Sequence, residues 1–197
     1  MLIDEDLITG DDGRKRCRWC VGDPLYQSYH DLEWGVPVSD DHRLFEKICL
    51  EGFQCGLSWL TILKRREGFR RAFADFRFDE IAQWDQRQVN RLVKDSGIIR
   101  HRGKIAATLH NASRAIEMRR DEGSLLNFFS RYLPDESPVP GRLADLPAIT
   151  DESTRMSREL KKRGWKFVGP TTCYAFMQAM GMVNDHLADC DFRSTNR

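Results

Sequence analysis

Leu160-Lys161-Lys162-Arg163-Gly164-Trp165-Lys166-Phe167-Val168-Gly169-Pro170-Thr171-Thr172-Cys173-Tyr174 is the stretch on which the fold reading turns. It reads as the basic end of one helix, a glycine-bounded connection and the start of an apolar helix. Gly164 suits a left-handed helix stop. Gly169 permits close backbone approach, and Pro170 suits a first helical position because it has no N–H to satisfy. The free N–H groups of the second helix then face outward, where an anion such as a nucleic-acid phosphate can be held without reading sequence. A plain helical turn within a bundle fits the same residues, and this segment alone leaves both open.

Helical spacing continues outward from this hairpin. Asp40 caps a helix carrying Leu44, Phe45, Ile48 and Cys49, with Gly52 as its stop. Ser58, Asp85 and Ser124 each open another. A long helix is expected from about Gly103 to Arg120, one from Asp151 or Ser153 to about Arg163, and a last one from about Thr171 to Met180. Pro134, Pro138, Pro140 and Pro147 mark a surface connection. No sustained alternating pattern demands a sheet, so the class is all-α. At 197 residues, 41% hydrophobic and 31% charged, the chain suits one core-forming domain, with room for two helical lobes. Residues 1–13 hold five acids and no lysine or arginine, and are expected to be a disordered extension to a domain over 14–197.

Composition also narrows the function classes. No apolar run approaches the roughly 20 residues of a membrane span, and no basic-then-apolar leader begins the chain. Six cysteines without such a leader suggest a reducing cytoplasm and thiols used as packing groups or ligands. No glycine pattern matches a nucleotide-phosphate loop and no G-x-S-x-G elbow occurs. The net charge of +1 does not by itself imply a polyanion partner.

Two spacings carry metal-ligand character. Cys17 and His30 lie near one end, and His186 and Cys190 at i and i+4 near the other. Two thiols and two imidazoles are what tetrahedral zinc prefers. Bound by all four, one structural ion would pin the chain ends together. Two buried cysteines and two hydrogen-bonded histidines fit equally, and Cys20 makes a competing C-x-x-C with Cys17. Between these ends Trp19, Tyr26, Tyr29, Trp34 and Trp59 cluster in sequence around Glu51. An acid at the end of an apolar helix opposes the helix dipole. Recognition of a cationic ligand between ring faces would explain it; an exposed glutamate at a frayed helix end is the plain alternative.

Asp23-Pro24-Leu25-Tyr26, Tyr29-His30-Asp31, Glu33-Trp34-Gly35-Val36-Pro37, Leu50-Glu51-Gly52, Gly56-Leu57-Ser58-Trp59, the run from Gly97 to Ile105, the hairpin from Lys161 to Gly169 and Val183-Asn184-Asp185-His186 resemble the 3-methyladenine DNA glycosylase I family. The resemblance extends from about Arg16 to Cys190. It implies a helix–hairpin–helix glycosylase fold with a zinc site joining the N- and C-terminal segments. Carried over by position, it makes Cys17, His30, His186 and Cys190 the zinc ligands, with Cys20 outside the set. Glu51 becomes the base-recognising carboxylate, and Trp19, Tyr26, Tyr29 and Trp59 the pocket rings. Gln54, Gly56 and Leu57 form the loop entering the DNA, and Gly164, Lys166, Gly169 and Thr171 the phosphate-binding hairpin. Phe53 and Cys55 depart from the small or polar residues usual beside Gln54.

The implied activity is monofunctional hydrolysis of the N-glycosidic bond of 3-methyladenine in double-stranded DNA after the nucleotide is flipped out, by a monomer. Thr171 to Gly181 contains no acid, in keeping with a family that lacks the catalytic aspartate of related glycosylases. Two rivals stand beside this reading. One is a glycosylase/lyase using Lys166 as Schiff-base nucleophile, and the other a non-catalytic zinc-stabilised DNA-binding module. A four-cysteine iron–sulfur cluster is disfavoured, because only Cys173 and Cys190 lie beyond residue 100.

Overall fold

The computed structural model describes residues 6–194, and within them the chain is mostly helical. A short antiparallel hairpin leads, β1 (Leu7–Thr9) pairing with β2 (Lys15–Cys17). Ten α-helices follow among the described residues: α1 (Pro24–Leu32), α2 (Asp41–Gln54), α3 (Trp59–Leu63), α4 (Arg66–Ala72), α5 (Phe78–Ile81), α6 (Gln86–Leu92), α7 (Arg102–Glu122), α8 (Leu125–Phe129), α9 (Asp151–Lys162) and α10 (Pro170–Ala179).

The β-hairpin corrects the expectation of a disordered extension over 1–13 and of a chain without strands. Residues 1–5 lie outside the described part. The hairpin holds because Asp191 accepts from the Lys15 backbone N–H at 2.7 Å, and the Asp6 carboxylate accepts from the Leu143 N–H at 3.0 Å. Those partners are far away in sequence, so local composition could not announce them.

The central element is α2, whose residues from Leu44 to Phe53 are all buried. It packs against α3, α7, α8 and α10. Phenylalanines fill the space beside it, Phe53 lying 4.6 Å from Phe69 and Phe73 5.6 Å from Phe76 between ring centroids. On α7 the buried positions Lys104, Thr108, Asn111, Ala115 and Met118 recur every three or four residues, which lays one stripe against the core.

The expected caps hold at four helices: the side chains of Asp40, Ser58, Asp85 and Ser124 each accept a backbone N–H from the first turn. For α9 the cap is Thr150, one residue before the expected pair, in a reciprocal box with Ser153. The segment 163–169 joins α9 to α10. Gly164 sits at φ 84°, with its N–H donating to Lys161 O and the Trp165 N–H to Leu160 O, both at 2.9 Å. This is the reciprocal pattern of a left-handed helix stop. Asn111 clamps the connection from α7, donating to Lys166 O at 3.0 Å and accepting from its N–H at 2.9 Å. A Cβ on Gly52 would lie 3.3 Å from Phe167 Cβ and O, so α2 meets the connection where only a hydrogen fits comfortably.

Candidate active site and Cys-His cluster

Two sites share a wall of aromatic rings, and α1 carries residues of both. Its start is encoded locally: Asp23 caps Leu25 and Tyr26, and Pro24 takes the first helical position. That signal was available in Asp23-Pro24, although the sequence reading placed no helix there. Tyr29 then faces a pocket, and His30, the next residue, faces the cluster.

The cluster brings together Cys17 from the end of β2, His30 from α1, and His186 and Cys190 from the C-terminal segment. All four are buried, with their ligand atoms within 4.8 Å of one another. His30 Nε2 lies 3.1 Å from His186 Nδ1, and Cys190 Sγ lies 3.6 and 3.5 Å from those nitrogens. A tetrahedral ion with bonds of about 2.0–2.3 Å separates its ligand atoms by roughly 3.3–3.8 Å; the contacts among His30, His186 and Cys190 run close to that range, and with Cys17 the four could hold one ion after small shifts.

The outer nitrogens are occupied. His30 Nδ1 pairs with Asp31 Oδ1 at 2.8 Å and His186 Nε2 with Trp34 O at 3.0 Å, which fixes which nitrogen of each ring faces inward. Arg16 braces Asp31 at 2.9 Å and is itself held by Asp12 at 2.6 Å. The facing thiols split in acidity: contact with Cys190 and burial push Cys17 up, while contact with Cys17 pulls Cys190 down, helped by the two histidines. Cys20 is not in the set, because its thiol donates to Cys17 O at 3.1 Å. The i, i+4 spacing of His186 and Cys190 is not a helical one: His186 lies on a bend and Cys190 just after a turn, with its N–H donating to Leu187 O at 3.0 Å.

The pocket is a cavity of about 230 Å³ lined by Trp19, Tyr26, Tyr29, Trp34, Glu51, Gln54, Trp59, Leu146, Ala175 and Gln178. The four expected rings and the expected carboxylate are therefore brought together. Trp19 stacks obliquely on Tyr26 at 4.8 Å, and Tyr29 lies 5.5 Å from Trp59. Burial keeps both phenols protonated, lifting Tyr26 to about 12 and Tyr29 well above its ordinary value.

Glu51 lies in the last turn of α2 and is 5% exposed, which rules out the frayed, solvated glutamate. Burial raises its pKa above the ordinary carboxylate range, and Lys47, one turn earlier and 3.4 Å away, opposes that rise. The buried indole N–H of Trp59, one of the lining residues, has no hydrogen-bond partner among the described residues.

Sequence reasoning missed three contributors. Lys47 stands at i−4 from Glu51, a spacing that could have exposed it. Gln178 reaches the pocket from α10, held by Asp185, which accepts from its Nε2 at 2.8 Å and from Tyr174 OH at 2.6 Å. Leu146 comes from the proline-rich connection, and no sequence signal pointed to it.

The loop 54–57 leaves the pocket rim. Gln54 lines the pocket, Gly56 sits at φ 83° and Leu57 is 40% exposed. Lys104 secures the loop from below, donating to Phe53 O at 2.9 Å and Cys55 O at 2.7 Å. Cys55 Sγ lies 3.7 Å from Thr172 Oγ1, which places the loop beside the start of α10. There Gly169 caps without a side-chain hydrogen bond, and Thr171 is exposed. Gly164 and Lys166 are exposed along the same connection. No described helix is long and apolar enough to cross a membrane.

The sequence pattern of the methyladenine glycosylase family matches residues 19–194. The DNA-3-methyladenine glycosylase 1 of Escherichia coli (strain K12) is 48% identical over 178 residues, 89% of this chain and 95% of that one. The DNA-3-methyladenine glycosylase of Haemophilus influenzae is 44% identical, covering 91% of this chain and 98% of its own length. A crystal structure of a 3-methyladenine DNA glycosylase I superposes with a TM-score of 0.86 at 47% identity, over 89% of this chain and 98% of that one. The Staphylococcus aureus 3-methyladenine DNA glycosylase I, solved to explain 3-methyladenine recognition, gives a TM-score of 0.86 at 34% identity, over 90% of this chain and 96% of its own. Matched along nearly all of its length in sequence and in shape, the chain belongs to the 3-methyladenine DNA glycosylase I family.

Proposed function

We propose that this protein excises 3-methyladenine from alkylated double-stranded DNA by hydrolysing its N-glycosidic bond. The relatives named above carry that activity in their names, and one related structure holds 3-methyladenine. The observation that carries the reading is Glu51, a buried carboxylate on the wall of an aromatic pocket. At about 230 Å³ the pocket is smaller than a drug-sized site and suits a single nucleobase.

A duplex hides its glycosidic bonds in the stack, so the nucleotide must be extruded. Methylation at N3 makes adenine cationic and weakens its bond to the sugar. The leaving group is then good without a strong acid, and water attacks the sugar carbon. Glu51 selects the positive base; Trp19, Tyr26, Tyr29 and Trp59 give it ring faces. Unmodified adenine lacks the charge that offsets the desolvation of Glu51.

The α9–α10 connection acts as the helix–hairpin–helix: Gly164, Lys166, Gly169 and Thr171 lie where a phosphate meets the uncapped N–H groups of α10. Gln54, Gly56 and Leu57 enter the gap left by the extruded nucleotide. Lys166 is not on the wall of the aromatic pocket, which argues against a lyase. Cys17, His30, His186 and Cys190 hold one structural zinc, which supplies cross-linking of the chain ends rather than chemistry.

Release of free base from methylated duplex DNA tests the reading. Glu51→Gln is expected to lose at least about a hundredfold in excision rate, the order of removing one transition-state partner, while still binding abasic DNA. Wild-type protein that binds the DNA but frees no base would make it a binding module; near-wild-type excision by Glu51→Gln would remove Glu51 from its role.

A further inference from the structure

Glu51 does not stand alone in its wall. One turn earlier on α2, Lys47 is buried, with its Nζ donating to Tyr29 OH at 2.7 Å. The same atom is 3.4 Å from Glu51 Oε1, 3.5 Å from the centre of the Trp59 ring and 4.6 Å from that of Tyr29. Three of the groups that face the substrate pocket therefore converge on one ammonium from behind.

On its other side Lys47 lines a second cavity of about 140 Å³, together with Glu33, Glu46 and Arg66. Burying an ammonium is costly, and an apolar side chain could fill the same space. The surrounding charges are matched among themselves: Glu33 with Arg66 at 2.5 Å, and Glu46 with Arg43 at 2.5 Å and Arg70 at 2.8 Å. That leaves Lys47 and Glu51 as each other's ion-pair partner. The other titratable groups facing the pair are Tyr26 and Tyr29 on α1, with Glu33 at its end, Arg43 and Glu46 on α2, and Arg66 on α4. From α3 the facing group is Trp59 and from α10 Gln178, neither of which titrates.

We propose that Lys47 is a positioning residue for base excision: its ammonium holds Glu51 anionic in the free enzyme and fixes Tyr29 and Trp59, so that a cationic purine meets a formed carboxylate. The inference rests on the assignment of Glu51 to base recognition. Burial draws Lys47 down to about 8 while Glu51 pulls it back up, so the ammonium is charged at neutral pH. Burial pushes Glu51 the other way, and among the described residues the group opposing that push is Lys47. Without the ammonium the carboxyl would take up a proton at higher pH. A cationic base would then have to displace that proton before binding.

The test compares wild type with Lys47→Met, and with Lys47→Gln as a second uncharged variant that keeps a donor for Tyr29. Single-turnover release of 3-methyladenine from methylated duplex DNA is followed from pH 6 to pH 9. Both variants are expected to lose at least about tenfold at pH 6, one pH unit of titration being a tenfold change in population, and to recover as the pH rises. A loss by the same factor at every pH, or no loss, overturns the proposal. Carbon-13 NMR of the Glu51 carboxyl in the DNA-free protein, assigned through Glu51→Gln, reads the charge without catalysis. Its midpoint is expected to move up in the variants, and an unmoved midpoint overturns the proposal whatever the rates. A raised midpoint with unimpaired excision at pH 6 would overturn the proposal through its premise, the use of the Glu51 charge on the base, and leave the Lys47–Glu51 coupling without a part in excision.

Discussion

Tyr29 and His30 are consecutive residues on one helix, yet they serve sites built on opposite principles. Around His30 the outward hydrogen-bonding capacity is spent: the outer nitrogen of His30 and that of His186 each have a partner within 3.0 Å. Around Tyr29 capacity is held back. Glu51 has an ammonium at 3.4 Å rather than in a tight ion pair, and the Trp59 N–H has no partner among the described residues. A structural cross-link gains rigidity when its outer groups are satisfied. A binding pocket needs unspent donors and charge, because only these can reward a ligand for leaving water. The two sites sit side by side: Trp19 lies 5.2 Å from His30 and 4.8 Å from Tyr26, and Trp34 lies 4.7 Å from His186 while lining the pocket.

If the cluster is the structural half of this contrast, metal loss should cost stability first. Chelation, or His186→Ala, is expected to lower the melting temperature by about 10 °C or more, since structural zinc sites contribute several kcal/mol or more to folding. Elemental analysis and thermal melts check this together. Wild type free of zinc that melts unchanged would break the comparison.

On the pocket side, stability should instead follow Lys47. Its folded value of about 8 lies below the unbound 10.5, so the unfolded chain holds more protons between those values. Stability therefore rises with pH across that window, by at most about 3 kcal/mol. The gain is fully present only above pH 10.5 and is lost as pH falls to about 8. Denaturant titrations of wild type and Lys47→Met should differ in slope over pH 8–10.5; parallel curves would contradict the depressed lysine.

Trp59→Phe keeps a ring and removes the spare donor. If that N–H is reserved for ligand, affinity for 3-methyladenine should fall by about tenfold, near 1.4 kcal/mol, with the melting temperature nearly unchanged. Calorimetric titration with the free base reads it, and unchanged affinity would assign the N–H no ligand role. The smallest effect is expected at Asp12→Ala, two links from the cluster through Arg16 and Asp31. Zinc exchange should quicken by less than about tenfold, below the usual effect of a direct outer-shell partner. A faster exchange than that would move Asp12 from a remote brace to a main support of the site.

Helix caps were legible in the sequence because they are settled within four residues: Asp40, Ser58, Asp85, Ser124 and Gly164 each bond to a neighbour along the chain. So were the donor types of the cluster and the presence of an acid among rings, which residue chemistry alone restricts to few uses. Three things waited for the tertiary structure. The physical reason for the exclusion of Cys20 is its bond back to Cys17 O, the β-hairpin is tied down by contacts with residues 143 and 191, and Lys47 was seen as a partner of the pocket only when α1 and α3 closed over it. Spacing encodes what a helical turn can reach. The bond between His30 and His186 spans 156 residues, and no local pattern records which side chains a fold will press together at that range.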